Sequence, residues 1–71
     1  MIDLDVIYYI RDELLRDPNI EASFAWSAAK LAEEDLLMAD MMSRWMEETN
    51  PKLRLFNLHV MEDRLEELHL L

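Results

Sequence analysis

Residues 24–46 read FAWSAAKLAEEDLLMADMMSRWM, and the spacing of their apolar side chains decides the fold. Laid out at about 100° per residue, they form two seams that step alternately by four and three. One seam is bulky: Phe24, Ala28, Leu31, Asp35, Met38, Met42 and Trp45. The other is mostly small: Ala25, Ala29, Ala32, Leu36, Ala39, Ser43 and Met46. A helix with two apolar seams needs two neighbours, and the alanine-rich seam lets one of them come close. The polar strip that is left, Glu33, Asp40, Arg44 and Glu47, is narrow. The stretch therefore predicts the middle of a long central helix in a small bundle.

Outward from it, the chain has no Gly, so few tight turns and long helices are expected. The two prolines mark where turns belong, at Asp17-Pro18-Asn19 and Thr49-Asn50-Pro51. In both, a residue that caps helices well precedes a Pro suited to the first helical position. Residues before Pro avoid the helical region. Three helices follow, at about 3–16, 19–48 and 51–70, in a single domain spanning 1–71. Asp3 and Asp5 begin the first helix and Arg11 and Arg16 lie toward its end, an order that suits the helix dipole. Its apolar face is Val6, Ile7, Ile10 and Leu14. The last helix has one clear seam, Leu58, Met61, Leu65 and Leu68, and a second line, Leu53, Phe56 and Val60, that fades into Arg64 and Glu67. Arg54, Asn57 and His59 interrupt residues 53–60 in a way a strand also tolerates; the alternative to helix is an edge strand completed by a second subunit.

With 71 residues the chain is near the lower limit for folding alone. A single core of this size leaves about 3–5 kcal/mol of stability. The absence of Cys excludes disulfides and Cys-based zinc sites. A hydrophobic fraction of 52% is more than so small a volume hides, which points to contact with another chain. The expected fold is all-α: a three-helix antiparallel bundle with a long central helix, completed by dimerisation through the faces of that helix left uncovered.

The longest apolar run, Val6–Ile10, is far short of the ~20 residues of a membrane span, and no secretory signal is visible. A cytoplasmic protein without membrane contact is the expectation. Sixteen acids against seven Lys and Arg give a net charge of −9, and the basic residues are scattered singly. Direct nucleic-acid binding, which uses a basic patch, is disfavoured; a basic protein partner is compatible, and so is a purely solubilising role for the charge.

Asp35 is the most unusual residue, a carboxylate in the bulky seam where an unpaired charge is costly. It is read as a partner of Arg11, Arg16 or Lys30, or as a polar residue fixing register, unless it reaches solvent between the seams. Met38, Met41, Met42 and Met46 with Trp45 are either core filling or an adaptable groove for another protein's helix. Trp26 and Tyr8, off the main seams, are expected at an interface. Glu66-Glu67-Leu68-His69 has the Glu-x-x-His spacing of helical carboxylate metal sites, with Glu62 one turn before. That spacing needs a matching motif on a second helix, which only a symmetric dimer could supply; the two His lie about 15 Å apart along the helix. No cofactor is expected. Nothing assembles a nucleophile, a base and oxyanion donors, so an enzyme is not expected.

The leading expectation is a non-catalytic protein-interaction module, a small acidic regulator, inhibitor or adaptor. It would bind through Trp26, Leu37, Met41 and Trp45, with Glu33, Glu34 and Asp40 steering a basic partner. One alternative is an acidic mimic of nucleic acid that blocks a basic DNA- or RNA-binding protein, since Glu33, Asp40 and Glu47 recur at seven-residue steps. Another is a helical carboxylate and His metal-binding protein.

Overall fold

The computed structural model describes residues 2–71; Met1, included in the expected 1–71 domain, lies outside them. The described chain is all-helical, with α1 at Leu4–Arg16, α2 at Ala22–Ala32, α3 at Leu36–Glu47 and α4 at Pro51–Glu67. There are four helices among the described residues, not three: the expected long central helix is two shorter ones. Asp35 makes the break. Its backbone is extended (φ −117°, ψ 107°), and its Oδ1 accepts from the Leu37 N–H at 3.2 Å. A short acidic side chain at this position satisfies a donor that the new helix would otherwise leave open. The apolar spacing did not reveal the break because, Leu36 apart, the apolar seam residues of α2 and α3 still turn to the same core.

The other boundaries follow similar local chemistry. Asp3 caps α1, its side chain accepting from the Asp5 and Val6 N–H groups. Asn50 caps α4 by accepting from the Lys52 N–H at 2.9 Å, with Pro51 beginning the helix as expected. Asp17 behaves differently: it closes α1 and folds its side chain onto the Asn19 N–H at 2.8 Å. Pro18–Ile20 is therefore a turn, and α2 begins at Ala22 rather than 19. Residues 53–60 are helical, which removes the strand alternative.

The last helix stops at Glu67, short of 70. Here the Leu70 N–H reaches the Leu65 carbonyl (2.8 Å) and the His69 N–H the Glu66 carbonyl (3.0 Å), with His69 at φ 57°. This is a Schellman closure, in a chain with no glycine to take the left-handed position.

α1 packs chiefly on α2 and α3 chiefly on α4; α2 meets α3, and α1 and α4 do not meet. The molecule is thus two helix pairs laid together, 27 × 24 × 18 Å overall. Four alanines of α2 (Ala25, Ala28, Ala29, Ala32) are buried and let the backbones approach. Ile7, Ile10 and Leu14 of α1 come from one side, and Met38, Met42, Met61 and Leu65 from the other pair. Flexible Met side chains fill the irregular space between helices of unequal length. No polar or charged residue is buried among the described residues.

Candidate interaction surface

Along α3, Leu37, Asp40, Met41 and Arg44 recur at the spacing that keeps them on one side of the helix. Phe56, Asn57 and Val60 of α4 face them across a groove of about 300 Å³. Leu37 is 47% exposed and Phe56 63% exposed, although α3 and α4 pack closely below them. The groove floor is apolar, and its rim carries the Arg44–Asp40 pair (2.8 Å) one turn apart on α3. None of residues 51–60 is buried, so the first half of α4 presents Leu53, Leu55 and Phe56 outward.

Three of the expected partner-binding residues, Leu37, Met41 and Asp40, come together in this groove. Trp26, Glu33 and Glu34 do not. They lie around a separate depression on α2, shared with Lys30 and Leu70. Trp45 is corrected outright: it is 4% exposed and belongs to the core, with the Arg54 guanidinium 4.2 Å over its ring. Of the Met cluster, Met38 and Met42 are core, and Met41 and Met46 are partly buried against it. Phe56, Asn57 and Val60 were not among the expected site residues. The signal for Phe56 and Val60 was the second apolar line of α4; Asn57, a polar interruption beside it, had none.

The depression near Trp26 is a clamp between α1 and α2. The Arg11 guanidinium stands 4.5 Å over the Trp26 ring and 4.9 Å over Tyr8, so the two aromatics hold one cation between them. Trp26 is 53% exposed beyond this contact. The Tyr8 hydroxyl donates to Glu33 Oε1 at 2.7 Å, and Lys30 Nζ lies 3.7 Å from the other carboxylate oxygen. The Tyr8 bond, with help from Lys30, holds the Glu33 carboxyl below the usual Glu range. The same bond, with desolvation, raises the Tyr8 phenol above its usual value.

Asp35 is paired, but not with Arg11, Arg16 or Lys30. Arg64 of α4 donates to Asp35 Oδ2 from Nη2 at 3.0 Å and from Nε at 3.2 Å. One carboxylate therefore caps α3 and fastens α4 to the junction. Arg16 is used locally by Glu13 and Arg11 by Asp12.

The other candidates do not assemble. Glu62 lies 3.8 Å from His59, Glu66 is exposed, and His69 forms the closure of α4. Among the described residues, no group of three or more His, Asp or Glu side chains could hold a metal ion. Glu33, Asp40 and Glu47 are not a row on one helix, since Glu33 ends α2 and the other two belong to α3. Among the described residues, no helix is long and apolar enough to cross a membrane.

Comparison with protein-family models, with curated proteins and with solved structures finds no match to this chain.

Proposed function

We propose that this protein is a non-catalytic interaction module that receives an amphipathic helix of a basic partner in the α3–α4 groove. One observation carries the reading: Leu37 and Phe56 stand open beside the half-buried Met41 and Val60, on two helices that face each other across one groove. Paired helices with an apolar channel between them fit helix-in-groove recognition, in which side chains spaced by three and four enter successive pockets. Aromatic residues such as Phe56 supply large contact area at such sites. Asp40 and Arg44 on the rim offset each other, and the net charge of −9 over the molecule favours a cationic polar face on the incoming helix.

The test uses a synthetic amphipathic peptide with Leu at three- and four-residue spacing and Lys elsewhere, titrated by calorimetry at physiological salt. Phe56→Ser and Leu37→Ser leave the charge unchanged, so they separate groove binding from general attraction to an acidic protein. Each is expected to weaken binding by about tenfold or more, as interface anchors do. Equal affinity in the wild type and both variants would overturn the reading.

A further inference from the structure

The junction between α2 and α3 is a helix interrupted at one residue. Across it the Glu33 N–H still donates to the Ala29 carbonyl (3.2 Å), the Asp35 N–H to Leu31 (3.0 Å) and the Ala39 N–H to Asp35 (3.0 Å). Glu33 is already helical at φ −60°, ψ −26°, whereas Asp35 is extended. Neither Gly nor Pro stands between Ala32 and Leu37, and of these residues Asp has the lowest helix propensity. The apolar seams also continue through the junction as though the helix did. Leu36, the first residue of α3, pays the consequence: it is 65% exposed, the most exposed large apolar side chain described. In an uninterrupted helix it would join the seam of Ala29, Ala32 and Ala39.

We infer that α2 and α3 fuse into one straight helix when two copies of this chain exchange their α3–α4 pairs. The occupant follows from the geometry. A straight helix over residues 22–47 is about 39 Å long, which exceeds the 27 Å length of the closed molecule. Straightening therefore carries α3–α4 away from α1–α2 and strips the core faces of both. Only a second copy presents the matching faces, so every contact between the pairs is restored between chains. Leu36 of each copy lies nearest the exchange point and gains a covering surface there. Asp35 holds the junction bent, through its cap on the Leu37 N–H and its pair with Arg64, which fixes the extended residue against α4. The α3–α4 groove moves with its helices intact, so the inference does not depend on the function proposed for it.

Two substitutions at neighbouring positions push the equilibrium in opposite directions. Asp35→Ala removes the cap and the Arg64 pair that hold the junction bent, and favours helix. Leu36→Pro places Pro at the first position of α3, where it fits, and holds the preceding residue extended. By sedimentation equilibrium, Asp35→Ala is expected to raise the dimer fraction at least tenfold over wild type, toward twice 8.5 kDa. Adding Leu36→Pro should return it to the wild-type fraction. Ser23→Cys and Glu47→Cys, spin-labelled in Asp35→Ala and diluted with unlabelled chain, should give an intrachain distance near 36 Å. A folded Asp35→Ala monomer, or a dimer whose labels stay within 27 Å, overturns the inference. If Asp35→Ala does not fold, the wild type decides. Refolded from urea at high concentration, it should form a dimer fraction that Leu36→Pro reduces at least tenfold; no dimer, or equal fractions, overturns it.

Discussion

At the scale of single residues, the Tyr8–Glu33 bond ties α1 to the end of α2 and makes that tie depend on pH in two directions. Glu33 is held below its usual range, so its contribution is complete above about pH 4.3 and is lost as pH falls through the lower folded value. Tyr8 is raised, so its contribution is complete below about pH 10 and is lost as pH rises through the higher folded value. A phenolate cannot donate to a carboxylate. Tyr8→Phe should therefore flatten both limbs: the urea midpoint should fall less between pH 7 and 3, and less between pH 9 and 11, than in wild type. Parallel pH profiles for the two proteins would show that the bond does not form in solution. Asp35 shows what a sequence can disclose at this scale. A carboxylate in an apolar seam calls for a partner, and Asp35, half-buried rather than buried, has one in Arg64 and not in Arg11, Arg16 or Lys30. An unbroken helix would leave only the first two helices to supply that partner. The break turns the side chain toward α4 and Arg64, 29 positions away, and no local pattern encodes that.

At the scale of elements, the ends of helices were legible where one residue type had one role. Asn50-Pro51 begins α4 as its chemistry demands, whereas Asp17-Pro18 uses the same chemistry to build a turn. The α2–α3 break was hidden because apolar periodicity reports which way side chains face, not whether the backbone between them is continuous. The end of α4 has no sequence signal for a related reason, since His69 fills a position usually taken by Gly. A non-glycine residue in the left-handed region costs about 1–2 kcal/mol, against roughly 0.5–1 kcal/mol for the greater freedom of Gly in the unfolded chain. His69→Gly should accordingly stabilise the protein by about 0.5–1 kcal/mol, and the β-branched His69→Val should destabilise it by about 1 kcal/mol. Urea denaturation checks both; unchanged stability in the pair would mean that the closure is not formed.

At the scale of the molecule, the apolar excess was legible from composition, but its location was not. A 52% hydrophobic chain was expected to leave apolar surface uncovered, and it does so most clearly on the first half of α4. Which line of α4 would be left open depended on how many helices the chain makes, and that rested on one aspartate. The division between core and groove has a measurable counterpart. Met42 is fully buried where the two pairs meet, so Met42→Ala should cost about 2–5 kcal/mol. That is comparable with the ~3–5 kcal/mol available to a chain this small, and most of the helical circular dichroism should be lost at 25 °C. Phe56→Ser, a larger truncation at an open position, should change stability by no more than about 0.5 kcal/mol. Similar losses for the two would contradict the assignment of Phe56 to a free surface.

The two tryptophans fall one to each helix pair, in opposite surroundings. Trp45 is enclosed beneath Arg54 in α3–α4, and Trp26 is half open beside Arg11 in α1–α2. The chain thus carries two intrinsic fluorophores of different colour, a blue-shifted emitter in one pair and a red-shifted, quencher-accessible one in the other. Each pair can be followed optically without adding a label, and a common melting curve at both wavelengths would mark the pairs as a single cooperative unit.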